Sequence, residues 1–222
     1  MCGRFALKAT TKDIEKLKPG IIVNSDVLAS DNISPMQNIS IITNDNSDLL
    51  LESANWGFIP KWAKDKSIGS KMFNARAETI DEKPSFRSSF QNRRCLIPAS
   101  HFYEWQKTDR IKQKIPFKID VINQSFFFFA GIWDEWKDEN SNIIKSATII
   151  TTEPNSLMST IHHRMPVILN INHVDLWLNV TSNSTILKKF LESYSSESMS
   201  LTELPPDYFK NKYKANESQE LF

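Results

Sequence analysis

Phe126-Phe127-Phe128-Phe129-Ala130-Gly131-Ile132-Trp133 is the stretch on which the fold turns. A strand with one face in water alternates apolar and polar residues, and this one does not. Four consecutive phenylalanines need cover on both sides, so the run predicts a strand in the middle of the core. Outward from it, short apolar and β-branched runs recur at 4–7, 39–43, 49–56, 94–98, 102–106, 116–121, 143–151 and 166–169. Turn-rich stretches such as Asn44-Asp45-Asn46-Ser47-Asp48 and Asp138-Glu139-Asn140-Ser141-Asn142 separate them, as expected between strands. Helical signals are fewer. Residues 11–18 have hydroxyls at their start and Pro19-Gly20 at their end. Residues 84–92 have Pro84 near the first turn, and Phe86 and Phe90 share one face. Residues 155–161, 173–180 and 185–194 complete the predicted helices. Hairpins without regular βαβ alternation indicate an α+β fold. We expect a mixed, largely antiparallel, bifurcated or barrel-like sheet flanked by a few helices. A single domain is expected over residues 1–222, with a polar surface tail from about 206.

The chain has 222 residues, 40% hydrophobic and 24% charged, which is enough to bury a sizeable core. A net charge of +1 argues neither for nor against nucleic acid, so any polyanion site must be a local patch. Two cysteines, Cys2 and Cys95, exclude a disulfide scaffold and leave one bridge between them open. Their spacing fits no metal motif, and neither metal nor cofactor is expected. No apolar run approaches 18 residues and no signal-type h-region is visible. A cytoplasmic monomer is the expectation.

Cys2 follows the initiator methionine in Met1-Cys2-Gly3-Arg4-Phe5. Removal of Met1 would leave an amine and a thiol on adjacent carbons. The amine can add to an aldehyde as an imine, and the thiol can then close a five-membered thiazolidine. An internal cysteine has no free amine and cannot do this. The competing reading is an accidental second residue.

Three further segments carry polar residues in apolar surroundings. They are Phe73-Asn74-Ala75-Arg76-Ala77-Glu78, residues 95–105 ending in Phe102-Tyr103-Glu104-Trp105, and His162-His163-Arg164-Met165-Pro166-Val167. Alternation puts Phe102 and Glu104 on one face of a strand. A carboxylate there is costly to bury without a partner or a task, and otherwise it marks an edge strand facing water. His162 and His163 precede a strand, at a junction where site residues often sit; the doublet alone is weak evidence for a metal. Asn74 is either a site residue or an ordinary turn former. Of seven arginines, Arg4, Arg76, Arg93, Arg94 and Arg164 fall within or beside these segments. Guanidinium forks suit phosphate, so the clustering suggests a phosphate-bearing ligand. Trp56-Gly57-Phe58-Ile59-Pro60-Lys61-Trp62 adds indoles that stack on exposed bases or pack in the core.

Together these runs resemble the SRAP family, named for "SOS response-associated peptidase". The resemblance is carried by Met-Cys-Gly-Arg-Phe, the Asn32–Gln37 run with Ser34-Pro35, Trp56–Pro60, Asn74–Glu78, Cys95–Ala99 leading into Phe102–Trp105, and His162–Pro166, in that order. It implies a protein that recognises abasic sites in single-stranded DNA and crosslinks to them. It implies Cys2 as nucleophile, with Asn74, Glu104 and His162 around it. Arg4, Arg76 and Arg164 would hold phosphates, and Pro35 and Trp62 would lie along the strand. By the same analogy His162 would assist sugar ring opening and crosslink reversal. Ser34, the Ser100-His101 pair and the tail beyond Tyr208 depart from the family pattern. Three rivals remain: an N-terminal-nucleophile amidohydrolase, an endopeptidase acting in trans, and a non-covalent single-strand binding module.

Overall fold

The computed structural model describes residues 2–45, 48–106 and 114–209. In chain order its strands are β1 (Phe5–Leu7), β2 (Ile22–Val23), β3 (Ser30–Ile33), β4 (Asn38–Asp45), β5 (Asp48–Trp56), β6 (Asn74–Arg76) and β7 (Arg94–Ala99). They continue as β8 (His101–Gln106), β9 (Ile115–Val121), β10 (Phe127–Lys137), β11 (Ile143–Thr152), β12 (Met165–Pro166), β13 (Ile168–Leu169) and β14 (Met199–Glu203). The α-helices are short: α1 (Thr11–Leu17), α2 (Arg87–Asn92), α3 (Val174–Leu178) and α4 (Ser184–Lys188).

The strands form two sheets that part at Ser100, between β7 and β8. One is antiparallel throughout, in the order β14-β9-β8-β1-β3. The other runs β12-β11-β10-β7-β4-β5-β2. In it a parallel pairing of β5 with β11 closes β11, β10, β7, β4 and β5 into a ring. The expected α+β class and barrel-like sheet are therefore present. Closure matters energetically because ring strands expose no unpaired backbone edge.

β10 explains the phenylalanine run. Phe127 and Phe129 enter a core shared with Phe5, Phe102 and Ile119 of the antiparallel sheet. Phe128 and Ala130 enter a second core, under Phe90 of α2, Trp177 of α3 and Leu187 of α4. Each buried phenylalanine contributes about 1.5–3 kcal/mol, so β10 ties the layers together. Gly131 sits where packing is tight, since a Cβ there would come within 2.8 Å of Ile97 Cδ1 and 2.9 Å of Cys95 Sγ.

Local differences from the sequence expectation have local causes. α1 starts where predicted because Thr10 and Asp13 form a capping box. The helix predicted over 155–161 is a single 3-10 turn, Met158–Thr160. Asn155 anchors this turn, accepting from the Met158 amide at 2.8 Å and donating to the Tyr194 carbonyl at 2.7 Å. The one predicted for 185–194 stops at Lys188, where the Lys189 amide turns back to Ile186. Of the predicted polar tail, the described part ends in Tyr208 and Phe209, which lie half-buried against Tyr103 and Trp105; residues 210–222 lie outside the described residues.

Candidate functional site

β1 brings the N-terminus to the site. It pairs with β8 as Phe5↔Phe102, and the Arg4 carbonyl accepts from the Tyr103 amide at 2.9 Å. This zipping seats Cys2, with 0% exposure, in the inner core. Asn74 arrives on β6, paired parallel to β11, so it is a strand residue and not a turn former. Its Nδ2 donates to the Cys2 carbonyl at 2.8 Å. Its Oδ1 is buried with no hydrogen-bond partner among the described residues, leaving an acceptor beside the N-terminal residue.

Glu104 lies on β8 between β1 and β9, opposite Phe117, and is 3% exposed. The water-facing alternative is excluded. Burial pushes its carboxyl up to about 7, because a low-dielectric site disfavours the carboxylate. Such a group passes protons in both directions near neutral pH. Burial, with a smaller contribution from Glu104, also pushes the Cys2 thiol well above its ordinary value.

His162 follows the 3-10 turn, its amide donating to the Met158 carbonyl at 2.9 Å. Its Nδ1 lies 3.9 Å from Glu104 Oε1. The same nitrogen lies 2.9 Å from the Arg164 carbonyl and 3.1 Å from the Arg164 amide. One contact needs Nδ1 as donor and the other as acceptor, so the Nδ1 edge is anchored on Arg164 in either tautomer. The His163 ring lies against His162 at 4.5 Å. Beside these residues opens a cleft of about 750 Å³ with Arg76, Trp105, Glu153, His162, His163 and Arg164 in its wall.

The arginines divide. Arg76 is exposed at the cleft. The Arg4 guanidinium donates to Asn32 Oδ1 at 2.5 Å and lies 4.6 Å from the Phe209 ring centre and 5.7 Å from that of Trp105. Arg164 is buried and bidentate on Glu78, at 2.5 and 3.0 Å, with a further bond to the Thr151 carbonyl at 2.6 Å. Arg93 pairs with Asp134. Arg94 spends its guanidinium on the carbonyls of Phe90, Gln91, Trp177 and Asn179, pinning α2 and α3 to β7. The arginine clustering therefore mixes cleft residues with structural ones.

Pro35 sits half-buried in the turn before Met36, a residue at φ 73° whose amide donates to the Trp56 carbonyl. Trp62 is 60% exposed in a separate hollow with Lys64 and Lys71. The structure thus brings together Cys2, Asn74, Glu104, His162, Arg4, Arg76 and Arg164, and sets Trp62 apart from the cleft. Sequence reasoning gave no role to Glu78, Asn32 or Phe209. For Glu78 the available signal was its place in the Asn74-to-Glu78 run.

The family model "SOS response associated peptidase (SRAP)" matches residues 1–208. The chain belongs to the SRAP family. It is 44% identical to the abasic site processing protein YoqW of Bacillus subtilis strain 168, over 90% of each chain. It is 31% identical to the abasic site processing protein HMCES of Xenopus tropicalis, over 61% of this chain and 47% of that one. Among solved structures, a protein from Bacteroides thetaiotaomicron superposes with a TM-score of 0.85 at 29% identity, over 94% of both chains. A phage-related protein of Bordetella bronchiseptica, 24% identical, shares the fold at a TM-score of 0.72, over 91% of this chain and 94% of that one.

Proposed function

We propose that this SRAP chain processes abasic sites, by forming a covalent thiazolidine between Cys2 and the ring-opened deoxyribose of an abasic site in single-stranded DNA. The observation that carries the reading is the convergence on residue 2. Asn74 holds the Cys2 carbonyl, and buried Glu104 lies nearby with His162 3.9 Å from its carboxylate.

The chemistry follows from the groups present. With Met1 removed, the Cys2 α-amine has a reference pKa of about 7.7–8.0 and is substantially neutral near pH 8. It attacks the sugar aldehyde carbon, forming a C–N bond and a carbinolamine. Loss of water to give the imine needs a proton on the departing hydroxyl, and a carboxyl with a pKa near 7 supplies it. The thiol then adds across the imine, its proton passing to nitrogen as the C–S bond closes the ring. The balance is aminothiol plus aldehyde to thiazolidine plus one water. A thiol held neutral by burial suits this order, with the amine attacking first. Ring closure also removes the imine that would otherwise promote strand cleavage. His162 is assigned to proton transfer in sugar ring opening and crosslink reversal. Arg4 and Arg76 are assigned to backbone phosphates, with Pro35 along the strand and Trp62, in its separate hollow, meeting the strand only beyond the cleft. Removal of Met1, by the chain itself or by another enzyme, is part of the proposal, as are a monomeric state and a cytoplasmic setting.

Mass spectrometry of the protein incubated with an abasic oligonucleotide tests the reading. The adduct is expected on residue 2, with Met1 absent. An adduct on a lysine, or none, overturns it. Glutamine hydrolysis or cleavage of added peptides by the purified chain would favour an amidohydrolase or a peptidase in trans. Equal affinity for intact and abasic oligonucleotides with no crosslink would leave a binding module.

A further inference from the structure

Glu78 touches neither Cys2 nor Glu104, yet its position bears on the histidine. Its carboxylate grips both terminal nitrogens of Arg164, at 2.5 and 3.0 Å. That pairing holds the Glu78 carboxyl below the usual carboxylate range, chiefly through the Arg164 hydrogen bonds. Arg164 is also fastened to the Thr151 carbonyl on β11, so its side chain is clamped between two elements. Its backbone carbonyl and amide both lie within hydrogen-bonding distance of His162 Nδ1. The ring that lies 3.9 Å from Glu104 is therefore oriented by a main chain whose own side chain is locked by Glu78. Glu78 also fills the bidentate face of Arg164 that a phosphate would otherwise take.

We infer that Glu78 is a positioning residue for His162, acting through Arg164, and that it holds Arg164 in this role at the expense of phosphate binding. The catalytic part of the claim rests on the crosslinking reading, whereas the orientation of the ring does not. Misplacement of a reacting group by about 1 Å costs on the order of 100-fold in rate, so a side chain outside the reaction can govern it.

Glu78→Ala and Glu78→Gln are the variants, with thermal melting to show that each is folded. At saturating abasic oligonucleotide the crosslinking rate should fall about 10- to 100-fold in Glu78→Ala and less in Glu78→Gln, which keeps a hydrogen bond to the guanidinium. Affinity for an intact oligonucleotide should hold or rise up to about 3-fold, as Arg164 is released toward phosphate. The ring ¹⁵N signals of His162, read without DNA, should show a changed tautomer balance. Loss of affinity at an unchanged saturating rate overturns the inference and makes Glu78 a determinant of DNA binding. Unchanged ¹⁵N signals in a folded Glu78→Ala protein overturn it as well. If even the wild type forms no crosslink while the ¹⁵N signals shift in Glu78→Ala, the positioning stands and the crosslinking reading falls.

Discussion

Cys2 and Cys95 lie in one apolar cluster, both free, both with 0% exposure, and burial pushes both thiols up. Judged as thiols, they are alike. Their surroundings differ. Cys95 sits in the middle of β7, opposite Gly131, with its backbone committed to the ladder and its sulfur packed where Gly131 leaves room. Cys2 precedes β1, its carbonyl is held by Asn74, and the Glu104 carboxylate acts on its sulfur. On the proposed crosslinking reading, chemistry at residue 2 therefore starts not from an activated thiol but from the amine that Met1 removal would expose, with the thiol closing the ring afterward.

The sharpest way to break this contrast is to remove each sulfur in turn. Cys2→Ala should abolish the gel-stable crosslink while Cys95→Ala retains it; a crosslink of wild-type yield in Cys2→Ala would end the argument. Next in size is Glu104→Gln, which should slow crosslinking about 10²- to 10⁴-fold, the usual worth of a placed acid or base. Glu104 also makes stability depend on pH. Its folded value of about 7 lies above the ordinary 4.5, so the fold favours the protonated form. The resulting stability is complete below about 4.5 and lost as pH rises through 7, amounting to about 3 kcal/mol. Melting curves from pH 4 to pH 8 should show this decline in the wild type and a flatter profile in Glu104→Gln.

A smaller effect is expected at Arg4. Arg4→Ala should weaken binding several-fold and reduce the salt slope of affinity by about 1; an unchanged slope removes Arg4 from the phosphate contacts. Smallest is the stability cost of Cys95→Ala, about 1 kcal/mol by denaturant unfolding, with the crosslinking rate untouched.

The sequence was most informative where one physical rule dominated. Uniform apolarity from Phe126 to Phe129 required two-sided burial, and the two cores deliver it. Alternation placed Phe102 and Glu104 on one face, and the buried carboxylate follows from that. Long-range pairings left no such trace. β3 is polar, Ser30-Asp31-Asn32-Ile33, and exists because β1 needs a neighbour on its open edge. β6 is three residues long and is specified by its parallel partner β11. The arginines misled in part, because guanidinium serves carbonyls and carboxylates as readily as phosphate. Arg94 is buried among carbonyls and Arg164 grips Glu78.

Ring closure by β5 and β11 joins Asn55 and Trp56 to Ser146 and Ala147. The site draws on residues 2, 74, 104 and 162, so no early fragment contains it. At about 5–20 residues per second, the ribosome needs roughly 8–30 s to deliver His162 after Cys2 emerges. For about the first two thirds of that interval the first residues have no strand β8 to zip onto. If the crosslinking reading holds, an aminothiol freed that early would meet other aldehydes before an abasic one, and translation time, as much as geometry, would set how much protein stays unspent.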